Sequence, residues 1–117
     1  MDDDREILTL LVDLFRREGS FEVRTAVTGY EAGVLTERFR PDLLVLDFRL
    51  SDVNGEVVCR TIRGNAAHAD TKILVVSGMA GQDDVRDLLE SGADSFLRKP
   101  FDGPQLMRRV RSLLAVV

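Results

Sequence analysis

Asp47 closes the apolar run Leu43-Leu44-Val45-Leu46, Ser77 closes Ile73-Leu74-Val75-Val76, and Lys99 follows Ser95-Phe96-Leu97. A further group of acids, Asp2, Asp3 and Asp4, stands just ahead of the first amphipathic segment. Carboxylates, a hydroxyl and an ammonium make a chemically coherent set. Clustered carboxylates repel one another and coexist only with a cation or with raised pKa values. Oxygen-only donors suit a hard ion, and Mg²⁺, which keeps waters and accepts phosphate oxygens, is the cation expected here. A carboxylate can itself be the nucleophile in phosphoryl transfer, where positioning and charge stabilisation carry most of the catalysis. Asp47 is the candidate nucleophile. Lys99 would pair with a phosphoryl oxygen as a point charge, and Ser77 would donate a hydrogen bond to another. Singly, each fragment has a plainer reading: the acidic run as a helix cap, Ser77-Gly78 as a turn. Together, at the ends of successive strands, they point to phosphoryl chemistry.

Those strand ends must be brought together by the elements between them. Ile7, Leu8, Leu11, Leu14 and Phe15 fall at helical spacing, and Gly19 closes that helix. Residues 21–27 alternate Phe21, Val23, Thr25 and Val27 and predict a strand. Ala32, Leu35 and Phe39 mark a second helix, which ends before Pro41. The continuous apolar character of residues 42–48 and 73–76 is that of strands covered on both faces. A short helix over 57–62 stops near Gly64-Asn65, and another through Val85, Leu88 and Leu89 is capped by Gly92. Residues 95–97 form a brief strand, and Leu106, Val110, Leu113 and Leu114 mark the last helix. Strands alternating with helices imply an α/β fold: a doubly wound parallel sheet in three layers, joined by right-handed crossovers. Ligands of such sheets bind beyond the carboxyl ends of the strands. Asp47, Ser77 and Lys99 should therefore converge on one rim.

The chain has 117 residues, which suits a single domain spanning 1–117. It carries 20 acidic against 16 basic residues, a net charge of -4, which argues against a nucleic-acid surface. The basic cluster Arg108, Arg109 and Arg111 is the only counter-hint, and arginines late in a helix also complement its dipole. No apolar run approaches the ~20 residues of a membrane span, and the acidic start does not fit a signal peptide. A single cysteine, Cys59, fits a reducing cytoplasm; flanked by valines, it reads as a small buried hydrophobe. His68 lies in a polar connector and is expected at the surface.

The ordered set of motifs resembles the receiver domain of bacterial two-component response regulators, chemotaxis regulators among them, along nearly the whole chain. It comprises Asp2-Asp3, Leu44-Val45-Leu46-Asp47 with Gly55 eight positions on, Val75-Val76-Ser77-Gly78, Ser91-Gly92-Ala93-Asp94 and Lys99-Pro100-Phe101. The resemblance implies a flavodoxin-like fold and a signalling switch with no enzymatic activity beyond its own Mg²⁺-dependent phosphorylation and dephosphorylation. It identifies Asp47 as the phosphoacceptor, with Asp2, Asp3, Asp47 and the backbone carbonyl of Arg49 as Mg²⁺ ligands. Ser77 corresponds to the switch hydroxyl, Phe96 to the switch aromatic and Lys99 to the family's lysine, and the Lys99–Pro100 bond is one the family usually holds in cis. A sensor histidine kinase or phosphotransfer protein is the implied donor. The face around Val85 to Leu89, Phe96 and Leu106 to Val110 is the implied surface for an output domain or homodimer. The family also places a buried strand ahead of the acidic pair, where this sequence has only Met1; that first strand is expected to be missing, through a truncated start or because a partner chain donates it. Two other functions compete. A phosphorylation-independent interaction module would tolerate the missing strand but has no use for the Asp47, Ser77 and Lys99 set. An aspartyl-phosphate phosphatase would need a second acid where Arg49 stands.

Overall fold

The computed structural model describes residues 5–19, 21–47, 55–78 and 82–114. Helix α1 (Arg5–Glu18) is followed by α2 (Gly29–Phe39), β1 (Leu43–Asp47), α3 (Gly55–Arg63), a 3₁₀ turn (Ala66–His68), β2 (Lys72–Ser77), α4 (Gln82–Glu90), β3 (Ser95–Arg98) and α5 (Gly103–Leu113). The strands form one parallel sheet in the order β1-β2-β3, with Asp47 opposite Val76 and Ser77 opposite Arg98. The α/β three-layer architecture follows from where the apolar side chains go. Leu44, Leu46, Ile73 and Val75 face Ala32 of α2, Cys59 and Ile62 of α3 and Leu88 of α4. The alternate residues Leu74, Val76 and Leu97 face Leu11 and Phe15 of α1 and Leu106, Met107 and Val110 of α5. Each strand is thus covered on both sides, as its unbroken apolar run requires.

Local chemistry sets the helix ends. Thr28 caps α2 by accepting from the Glu31 amide, and the helix stops at Arg40, held left-handed at φ 53° ahead of Pro41. Asp102 and Gln105 form a reciprocal capping box at the start of α5, and Pro104 sits in its first turn.

Two sequence expectations are corrected. Residues 21–26 keep the alternation of half-buried Phe21 and Val23 with exposed Glu22 and Arg24, yet they form no strand. Phe21 packs edge-on against Phe15 with ring centroids 5.0 Å apart, and Arg24 lies 5.0 Å over the Phe39 ring. A strand needs a lateral partner as well as the alternating pattern, and here a cavity of about 890 Å³ separates the segment from β1. His68 is buried rather than exposed, at 3%. Its Nε2 lies 2.9 Å from Glu37 Oε1, which also accepts from Asn65 Nδ2, so the polar connector folds inward to satisfy the ring.

Candidate functional site

The parallel register delivers Asp47, Ser77 and Lys99 to the carboxyl ends of three neighbouring strands. Asp47 is the last residue of β1 and only 8% exposed. Ser77 ends β2 and is buried, and its carbonyl accepts from the Lys99 amide at 3.1 Å. That bond ties the segment after β3 to the end of β2. Lys99 Nζ then lies 3.7 Å from Asp47 Oδ1, an ion pair that crosses the top of the sheet. The Lys99–Pro100 peptide is cis, as the resemblance implied.

The arrangement is a buried carboxylate facing the Lys99 ammonium, with a buried hydroxyl on the strand between them. Such a site can hold an electrophilic phosphorus against a carboxylate oxygen and spread the negative charge that develops. Asp47 is also a hard oxygen donor of the type a divalent ion prefers. Asp2, Asp3 and Arg49, the other ligands implied by the resemblance, lie outside the described residues. Among the described residues, no three histidine, cysteine or acidic side chains are grouped to hold a metal.

Phe96, which the resemblance implies as the switch aromatic, is half-buried in β3 and packs against the α2–α3–α4 face of the core. Sequence reasoning missed the groups that hold its surroundings. Arg109 Nη1 donates to the Phe96 carbonyl at 2.9 Å and to Ser95 Oγ at 2.8 Å, and the Arg98 guanidinium lies 5.7 Å over the Phe96 ring. The basic cluster late in α5 signalled Arg109, but helical spacing alone does not say which arginine turns toward β3. Leu88, Leu106 and Val110 are fully buried, so the surface of α4, β3 and α5 is carried instead by exposed Arg86, Leu89, Arg98 and Arg109.

A second polar cluster braces α3 against β3. Arg63 Nε donates to the Gly92 carbonyl at 2.8 Å, Nη1 to the His68 carbonyl at 3.3 Å and Nη2 to Asp94 Oδ2. Asp94 Oδ2 also accepts from the Ile73 amide at 2.7 Å, linking the start of β2. The motif Ser91-Gly92-Ala93-Asp94 therefore has a structural role. Cys59 is buried as expected, and burial pushes its thiol up to about 11.

Comparison with known proteins decides the family. The response regulator receiver domain model matches residues 1–111. The chain belongs to the response regulator receiver family. Its curated relatives include the DNA-binding dual master transcriptional regulator RpaA of Synechocystis, 34% identical over 96% of this chain and 46% of RpaA. The chain spans about half the length of the curated relatives it matches, which are bacterial regulators. Among solved structures, a response regulator of Chloroflexus aurantiacus superposes with a TM-score of 0.92 at 30% identity, over 99% of this chain and 94% of the other. The receiver domain of a Pseudomonas aeruginosa sensor histidine kinase, 26% identical, superposes at 0.88 over 99% and 94%. That protein carries a magnesium ion coordinated in its active-site cleft. No helix among the described residues of this receiver domain is long and apolar enough to cross a membrane.

Proposed function

We propose that this receiver domain, acting as one unit over residues 1–117, takes a phosphoryl group onto Asp47 from a histidine of a sensor kinase or phosphotransfer protein. The observation that carries this reading is the meeting of Asp47, Ser77 and Lys99 at adjacent strand ends, with Lys99 Nζ 3.7 Å from the acceptor carboxylate. In the transfer, an Asp47 oxygen forms a bond to phosphorus as the bond from phosphorus to the donor imidazole nitrogen breaks. The imidazole leaves with the electron pair and takes up a proton. Lys99 exchanges its contact with Asp47 for a phosphoryl oxygen, so a positive charge stays beside the carboxylate through the reaction. Ser77 donates its hydroxyl to a second oxygen. Bound Mg²⁺, held by Asp2, Asp3, Asp47 and the Arg49 carbonyl, would offset the charge gathered around the phosphoryl group.

Signalling is then a population shift. Movement of Ser77 toward the phosphoryl group lets Phe96 turn inward, and Arg109, bonded to the Phe96 carbonyl, carries that change to the surface of α4, β3 and α5. That surface would meet an output domain or a second copy, and DNA binding of the kind named for RpaA would belong to such an output domain. Beryllofluoride titration with Mg²⁺, followed by amide NMR, tests the reading. Saturable shifts at Asp47, Ser77, Lys99 and the α4–β3–α5 face, lost in Asp47→Asn, are expected. A folded sample with no shifts would instead favour an interaction module that needs no phosphorylation.

A further inference from the structure

Strand β3 sends its side chains to the two faces of the sheet in alternation. Ser95 and Leu97 turn toward α5, where Leu97 is buried with Leu106 and Val110. Phe96 and Arg98 turn the other way, and Phe96 packs there against the core that holds Val75 and Leu88. The neighbouring strand continues the pattern, since Val75 pairs with Phe96 and Ser77 with Arg98. Paired residues of adjacent strands share a face, so Ser77 stands on the same side as the Phe96 ring, just beyond Val75.

Hydrogen bonds fix the strand itself. Arg109 Nη1 reaches from α5 to Ser95 Oγ at 2.8 Å and to the Phe96 carbonyl at 2.9 Å. The Lys99 amide donates to the Ser77 carbonyl at 3.1 Å. Arg98 contacts the ring instead, with its guanidinium carbon 5.7 Å from the Phe96 centroid. A guanidinium at that distance is attracted by the negative face of the ring. Arg98 is exposed and Phe96 half-buried, so the cation covers the outer side of the ring while its charge stays in water. If the ring turned inward, toward Ser77, Arg98 could not follow without burying that charge. The contact therefore exists only while the ring stays where it is.

We infer that Arg98 is a latch on Phe96: it holds the ring in its resting position and so sets how readily the receiver switches. The inference rests on the reading of Asp47 as phosphoacceptor and Phe96 as switch aromatic, and adds the residue that weights the ring's two positions. A contact made in only one of two states shifts their equilibrium by its own strength. Where the state that binds ligand is the minor one, affinity falls in the same proportion.

Beryllofluoride with Mg²⁺, titrated by amide NMR, reads the latch. Arg98→Gln keeps a long polar side chain but removes the charge, and should bind about two- to fivefold more tightly than wild type. Arg98→Lys, which restores a cation, should return most of the way to wild-type affinity. Loss of a cation close to an anion site would by itself weaken binding, so tightening cannot come from charge alone. In a Phe96→Leu background the tightening should vanish, because the ring is gone. Unchanged or weaker binding in Arg98→Gln, beside saturable binding in the wild type, would overturn the latch and leave the phosphoacceptor reading standing. So would equal tightening with and without the ring. A wild type that binds no beryllofluoride would instead sink the phosphoacceptor reading, and the latch is then judged without ligand. Three-bond couplings from Phe96 Cγ to its backbone nitrogen and carbonyl carbon give the χ1 populations. A shifted rotamer population in Arg98→Gln supports the latch, and identical populations overturn it.

Discussion

Asp47 and Lys99 meet across 3.7 Å at a rim only partly open to water. Asp47→Asn should abolish incorporation of radiolabel from a phosphorylated kinase, because an amide cannot form the acyl phosphate. Lys99→Ala removes one charge-assisted contact to the transferring group, and phosphorylation by acetyl phosphate should slow by about a hundredfold. Away from the rim, the Cys59 thiol is pushed up to about 11 by burial. A disulfide reagent at about pH 8 should react with it far more slowly in the folded protein than in urea. At Glu37, the hydrogen bond with His68 holds the carboxyl below its ordinary 4.5. A carboxyl lowered by folding contributes stability in full above its unfolded value, and loses that contribution as pH falls through the folded one. Between about pH 6 and 3, the urea midpoint of the wild type should therefore fall more than that of Glu37→Gln.

Among the elements, the turn between α4 and β3 is the most constrained. Gly92 adopts φ 119°, and a β-carbon there would collide with the Arg63 side chain that donates to its carbonyl. Gly92→Ala combines backbone strain with displacement of Arg63, and should cost about 3 kcal/mol in urea unfolding. Arg63→Ala leaves Asp94 and the Gly92 and His68 carbonyls to find water instead, and about 2 kcal/mol is expected by the same measurement. Much at this scale could be read in advance. Leu43-Leu44-Val45-Leu46 and Ile73-Leu74-Val75-Val76 are apolar at every position, so only a strand covered on both faces satisfies them. Gly19, Pro41, Gly64 and Gly92 punctuate helices where they were expected to. Residues 21–27 show where such reading stops, since alternation marks a strand's faces but cannot supply its neighbour.

For the molecule as a whole, three layers share one sheet, with α2, α3 and α4 on one face and α1 and α5 on the other. Leu46 is fully buried in the sheet that supports Asp47. Leu46→Ala should destabilise the fold by roughly 2–5 kcal/mol and, in the folded fraction, weaken beryllofluoride binding, because Asp47 loses its backing. Residue types and their order alone determined that this chain makes a parallel α/β sheet and places an acid, a hydroxyl and an amine at successive strand ends. Periodicity, turn chemistry and chain order are local properties, written residue by residue. The tertiary structure alone decided that Lys99 reaches Asp47, that Arg109 rather than its neighbours holds the Phe96 carbonyl, and that His68 turns inward to Glu37. It also decided that residues 21–26 stand beside a cavity rather than a strand. Each of these depends on the distance between segments far apart in sequence, which packing sets and no local pattern encodes.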